Sequence, residues 1–374
     1  MKILDALAAA RPADLEAAPD ADRRYRDLDK ALSQPVEDSR RRRSARVPVR
    51  RLAIGVVAVG AAAAVAVTLT GHQSGSSAPE KTPGDGKVGG QPIMLAADKA
   101  ESQPLGRYWT SDTVSGQSYI VSAKTGNYAI TGAATETFEW TAVKAGGGNL
   151  FYGRDLPARP QTPEDKAAWL KAGSPTSFRV WSNDHYQTYS RSAGRWEADH
   201  PQARPGGQFF FSGMGGKSKA NGVTFEQLRQ LSTDPDQLRQ NYLQHGENPA
   251  QRMLDVSEDL MSAPVPPKLR AGIMRMVPKL PGVYSVGTVT DPLGRKGIAF
   301  AADWPTGGSL YHGYGSRTEI IFSEDGEFLG TEDVLTKPGG EYAKQRPGFV
   351  INYHVARGSA WTDKKPSPPG KLPF

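Results

Sequence analysis

From Leu105 onward the apolar positions alternate with polar ones, then shift to helical spacing, then alternate again. Thr135–Val143 sets Thr137, Glu139 and Thr141 against Phe138, Trp140 and Ala142, the period-two pattern of a half-buried strand. Arg107–Thr113, Ser118–Ser122 and Leu150–Gly153 read as companion strands, and Phe178–Ser182 with Tyr186–Tyr189 as a pair around Asn183-Asp184. A short helix is expected over Pro163–Lys171, and the glycine-rich stretch Gly206–Gly222 reads as a flexible excursion. Helix-start signals follow in close succession. Thr224 with Gln227 at N3 forms a capping box, and Asp234-Pro235 and Asn248-Pro249 each place an N-cap before a proline. Pro266-Pro267 opens a fourth helix that aligns Leu269, Ile273 and Met276. Strands return at Gly282–Thr290, Lys296–Ala302 and Thr318–Ser323. Asp325-Gly326 then turns the chain into Phe328–Val334, and Phe349–Arg357 closes the series.

Upstream of this domain the pattern is different. Leu52–Leu69 is 18 residues without a charge, and seven arginines precede it: Arg40, Arg41, Arg42, Arg43, Arg46, Arg50 and Arg51. At a rise of about 1.5 Å per residue such a run spans roughly 27 Å, close to the bilayer hydrocarbon. The arginine flank places residues 1–51 in the cytoplasm and everything after the span outside it. Within 1–51, Asp20–Gln34 can form one amphipathic helix through Tyr25, Leu28 and Leu32. Residues 71–104 read as a flexible linker, from Ser74–Ser77 through Gly89-Gly90-Gln91-Pro92, and 358–374 as a disordered Pro/Lys tail. The expected organisation is therefore 1–51 cytoplasmic, 52–70 transmembrane helix, 71–104 linker, 105–357 extracytoplasmic domain and 358–374 tail. The fold class is α+β: a curved antiparallel sheet covered by a block of short helices.

Charge supports this division. The chain carries a net +7 over 374 residues, yet residues 1–51 alone hold 13 Lys/Arg and 9 Asp/Glu. The remainder is +3 and nearly neutral, so no basic face for nucleic acid is expected. The absence of cysteine excludes disulfides, thiolate catalysis, cysteine-ligated metals and a lipobox anchor.

Motifs that carry chemistry are sparse. Gly213–Ser218 looks like the end of a P-loop, but Phe211 stands where the first glycine is required. Six histidines, at 72, 185, 200, 245, 312 and 354, form no HExxH pair, and no G-x-S-x-G elbow occurs. The acidic pairs Glu258/Asp259, Glu324/Asp325 and Glu332/Asp333 read as solvated edges. A polar pocket built on His185, His200 or Asp303 would mark an enzyme of unfamiliar type. Met253, Met261, Met274 and Met276 cluster in the helical stretch, where soft side chains can line an apolar groove or fill an irregular helix–sheet interface. No cofactor or metal is expected.

One region carries a resemblance. Leu269-Arg270-Ala271 in a helix is followed by Leu280-Pro281-Gly282-Val283, Val286-Gly287, Asp291, Gly294-Arg295, Gly297-Ile298-Ala299 and a hairpin ending in Phe328-Leu329-Gly330. In these motifs the chain resembles a family of actinobacterial single-pass membrane proteins of uncharacterised function. The Ala-Arg-Pro start, the arginine run and the single span are similar too. Members are often encoded beside extracytoplasmic-function sigma factors, which implies a regulatory link. In element order the domain is also loosely similar to LolA/RseB-like half-barrels, a likeness of layout alone. No catalytic residues follow from either.

These readings together favour a non-enzymatic, membrane-anchored protein with an extracytoplasmic sensing or binding domain. Its expected partners are the lipid bilayer, a cytoplasmic protein such as a sigma factor, and an apolar ligand. A tethered carrier of lipid or lipoprotein is the second reading and an enzyme of unrecognised type the third.

Overall fold

Local chemistry sets most element boundaries. Thr162 accepts from the Asp165 amide while Asp165 returns a bond to the Thr162 amide, a complete capping box that starts α2 (Pro163–Lys171). Thr224 and Gln227 do the same for α3 (Phe225–Gln230), as their spacing predicts. Asp234 and Asn248 cap α4 (Pro235–Leu243) and α5 (Pro249–Ser262). Pro267 begins α6 (Pro267–Met276). The computed structural model describes residues 90–182, 185–199, 207–213, 222–243, 248–305 and 313–374. The expected helix Asp20–Gln34, the arginine flank and the span Leu52–Leu69 lie outside the described residues. Among those described, no helix is long and apolar enough to cross a membrane.

The strands are β1 (Tyr108–Ala123), β2 (Gly126–Ala142), β3 (Asn149–Asp155), β4 (Arg159–Pro160), β5 (Ser177–Ser182), β6 (His185–Ser190), β7 (Glu197–Asp199), β8 (Tyr284–Thr290), β9 (Lys296–Asp303), β10 (Gly315–Phe322), β11 (Phe328–Lys337) and β12 (Val350–Thr362). Ten of them form one antiparallel sheet in the order β7-β3-β2-β1-β12-β11-β10-β9-β8, with β4 paired to β2; β5 and β6 pair separately. The α+β class and the large antiparallel sheet are thus as expected from sequence. Arg107–Thr113 and Ser118–Ser122 are one strand rather than two, with a bulge between Asp112 and Thr113.

The main core lies between this sheet and the helices. Phe300, Ile320 and Phe322 meet Leu238, Val256, Leu260 and Ile273, all fully or almost fully buried. A second core joins Tyr119, Tyr128 and Ile130 to Trp169 of α2 and to Phe178 and Val180 of β5.

Three sequence readings require correction. The stretch read as a linker to residue 104 contains a helix, α1 (Gly90–Glu101), whose Ile93, Ala96, Ala97 and Ala100 are fully buried in the main core. Those positions recur at helical spacing, but small alanines in a Gly/Pro-rich context give a weak signal. The tail after residue 357 is not loose either. Strand β12 runs on to Thr362, and the Pro369 carbonyl accepts from Trp196 Nε1 at 2.9 Å. The Lys371 carbonyl accepts from both Arg154 and Arg357 at 2.9 Å. Finally, the described start of the glycine-rich excursion is anchored. Phe211 is fully buried, and Phe209 exchanges two backbone hydrogen bonds of 2.7 Å with Val223.

Candidate functional site

Two clefts open on opposite faces of β11 and β12, because adjacent residues of a strand point to opposite faces. On the helix side, Leu254, Ser257, Glu258 and Met261 of α5 face Thr331, Asp333, Asn352 and His354 across about 460 Å³. Asp333 is held by Thr318 Oγ1, which donates to it at 2.5 Å and accepts from Trp304 Nε1 at 2.9 Å. Burial pushes the His354 imidazole down to about 4, so it is neutral at physiological pH.

The front cleft, about 250 Å³, is built from more distant parts of the chain. Register aligns Glu319 with Glu332, Glu332 with Tyr353 and Tyr353 with Gly116, across β10, β11, β12 and β1. The Tyr353 ring lies over Gly116 against Thr131: a Cβ at Gly116 would stand 2.7 Å from Tyr353 Oη and from Thr131 Cγ2. Arg159 faces Thr131 on the far side, and Gln161 reaches in to donate to the Val350 carbonyl at 2.8 Å. The β8–β9 turn closes one end. There Asp291 accepts from the backbone of Leu293 and Arg295 and from the Arg295 guanidinium, while Leu293 packs on the cluster of Val114, Leu156 and Tyr353.

Four polar atoms of this cleft are buried without a hydrogen bond: Arg159 Nε, Gln161 Oε1, Glu332 Oε1 and Tyr353 Oη. Glu332 is 5 % exposed and Tyr353 7 %. Buried polar atoms are rarely left unsatisfied, so four converging on one cleft mark a place for a ligand or ordered water. Burial, with Glu319 and Asp291 close by, pushes the Glu332 carboxyl well above the usual carboxylate range. Burial also raises the Tyr353 phenol, an effect that the Arg159 guanidinium beside it offsets in part.

The sequence-derived candidates fall elsewhere. Met253, Met261, Met274 and Met276 are buried in the main core, and only Met261 also borders a cleft, the helix-side one. His185 is exposed on β6 and His200 lies outside the described residues; Asp303 accepts from Tyr284 Oη at 2.8 Å on β9. Of the acidic pairs read as solvated edges, Glu332/Asp333 is buried and Glu258/Asp259 has a half-buried and a buried member. Asp259 is fully buried and accepts from Ser212 N, Gly213 N and Tyr242 Oη at 2.6, 2.8 and 2.7 Å. Glu332 and Asp333 sit mid-strand where the sheet is covered on both faces; only Glu324/Asp325 is exposed, at a turn. No sequence motif announces Arg159, Gln161, Glu332 and Tyr353, which only register across the sheet brings together.

The buried acids have a measurable consequence. Burial raises Asp259 to about 7, and burial with Glu136 alongside raises Asp112 to about 8, against ordinary values near 4. Between pH 4 and these values the folded chain holds protons that the unfolded chain has released, so stability falls as pH rises. His354 acts in the opposite sense only below its unfolded value of 6.5. The Tm of the full chain is therefore expected to drop by about 5 °C from pH 6.5 to pH 8. Asp259→Asn should flatten the trend, and a Tm that rises over this interval would contradict the assignment.

Comparison of the chain with protein-family models, with curated proteins and with solved structures finds no match.

Proposed function

We propose that the protein is a non-enzymatic, single-pass membrane-anchored protein whose extracytoplasmic α+β domain binds a small ligand in the front cleft. The observation that supports binding is the convergence there of four buried polar atoms without partners. The anchor rests on the uncharged run Leu52–Leu69 behind its seven arginines, with residues 1–51 cytoplasmic. A regulatory role, with a sigma factor as the cytoplasmic partner, belongs to the same reading. The apolar-carrier alternative would have to use the helix-side cleft of about 460 Å³, which only Met261 of the four methionines borders; the other three are packed into the main core. The half-barrel likeness stays a likeness of layout.

Thermal unfolding of the full chain in a sugar-free detergent tests binding. Among amino acids, amines, carboxylates, sugars and nucleosides, at least one compound is expected to raise the Tm by about 3 °C or more. The Glu332→Gln/Tyr353→Phe double variant should not respond. If no compound separates the two proteins, the binding reading fails.

A further inference from the structure

We propose that the ligand of the front cleft is a small zwitterion, a free α-amino acid, with its ammonium group on Glu332 and Gln161 and its carboxylate on Arg159 and Tyr353. This rests on the binding reading above and goes on to name the chemistry.

The argument is one of charges left without partners. Four acidic or basic groups near the cleft are already matched: Asp291 is paired with Arg295 and Glu319 with Arg317. Two are not. Glu332 has no cationic partner, and its Oε1 accepts nothing. Among the described residues Arg159 forms no ion pair; its guanidinium lies 3.5 Å over the Phe374 ring and its Nε donates to nothing. Arg159 is a half-buried cation and Glu332 a buried carboxyl that its surroundings push toward the neutral form, and both border the same cleft. The Tyr353 ring, lying over Gly116, stands between them.

Each class of ligand can be weighed against this arrangement. A simple anion would satisfy Arg159 but would leave the Glu332 carboxyl without a basic partner and bring a like charge toward Asp291. A simple cation would satisfy Glu332 and leave Arg159 alone. A neutral sugar could use the free hydrogen-bonding atoms but would leave the Arg159 charge without a counter-charge, which is costly. A zwitterion supplies both missing counter-charges and adds no net charge. The atoms match in role as well. Gln161 Oε1 and Glu332 Oε1 can only accept from an ammonium group once Glu332 is ionised, while Arg159 Nε donates and Tyr353 Oη can donate to a carboxylate. A volume of about 250 Å³ suits one small molecule of this kind and no polymer.

Binding of the ammonium group would ionise Glu332, whose carboxyl keeps its proton in the empty cleft because of burial and its acidic neighbours. One proton then leaves the Glu332 carboxyl for the buffer for each ligand bound.

Isothermal titration of the full chain in sugar-free detergent, with L-alanine, L-serine, L-glutamate, L-lysine, ethylamine, propionate and glucose as probes, tests the proposal. At least one amino acid should bind, with ethylamine and propionate at least tenfold weaker and glucose silent. In two buffers of different ionisation enthalpy the binding heat should differ by the release of close to one proton. Glu332→Gln, which removes a buried charge site and should fold at least as well as wild type, is expected to weaken amino-acid binding at least tenfold and to abolish the proton release. Glucose, ethylamine or propionate binding while every amino acid fails would overturn the zwitterion assignment and leave the binding reading standing. So would amino-acid binding that Glu332→Gln does not alter. Failure of every compound would overturn both.

Discussion

Arg154→Met is expected to destabilise the domain by about 3–5 kcal/mol, because it takes one cation from a buried carboxylate. Glu136 is fully buried on β2 and accepts from Arg154 Nε at 2.6 Å and from Arg357 Nη1 at 2.7 Å. Asp112 lies beside it, raised to about 8 by burial and by Glu136. Two acids thus share two arginines in a nearly solvent-free setting. Removing Arg154 leaves Arg357 alone to offset Glu136, and also removes a bond to the Lys371 carbonyl and a guanidinium 4.3 Å over the Trp196 ring. With about 2–4 °C of Tm per kcal/mol for a domain of this size, a fall of about 10 °C follows. The cost arises from a stranded charge rather than from the worth of the pair itself. Arg154→Met/Glu136→Gln should therefore recover about half of the loss, a coupling that chemical denaturation of the four proteins of the cycle would measure. Strict additivity of the two single losses would show that the pair is not an interacting unit.

That network explains why the tail could not be read from sequence. Its hold on the domain comes through backbone carbonyls, at Pro369 and Lys371, and every residue has a carbonyl. The Pro/Lys composition of residues 358–374 signals poor core-forming power, which is correct, but it carries no information about which arginines lie opposite. Helix and turn chemistry behave differently. The capping box at Thr224 and the Asp325-Gly326 turn act over a few residues, and both form where their spacing places them.

The front cleft lies at the far end of this scale. Glu332 and Asp333 are neighbours in the chain and both border the helix-side cleft, but only Glu332 also borders the front one. Reading them as an acidic pair on a solvated edge assumed that one face of β11 meets water. Both faces are covered, one by α5 and the other by the β8–β9 turn and the two-residue strand β4. Arg159 and Gln161 flank a proline, a local context that looks like a loop, and their position depends on the pairing of Thr131 with Arg159. Gly116 lies in the gap between Arg107–Thr113 and Ser118–Ser122, the two segments read as separate strands. It is a ladder position kept bare so that the Tyr353 ring can cross it.

Gly326→Ala should cost about 3 kcal/mol, more than its conformation alone demands. Gly326 has φ +84°, in the left-handed region where a side chain costs about 1–2 kcal/mol. Its surroundings add the rest. An added Cβ would overlap the Ala96 carbonyl oxygen and come within 2.7 Å of the Ala100 amide nitrogen, both backbone atoms of α1. Backbone cannot rotate aside as a side chain can, so α1 must shift as a body and uncover part of Ile93 and its three alanines. The exposed ion pair between Lys99 and Asp325 at 2.8 Å would add little to hold it in place. Gly294 supplies the control. Its φ is +82°, nearly the same, and a Cβ there meets nothing within 4 Å. Gly294→Ala therefore carries the conformational cost only, about 1 kcal/mol, and the difference between the two variants, about 2 kcal/mol, measures the docking of α1 on the β10–β11 turn. Urea unfolding of both variants gives that difference directly. Equal losses would mean that α1 does not rest on this turn, and the segment 90–101 would then revert to the linker that its composition suggests.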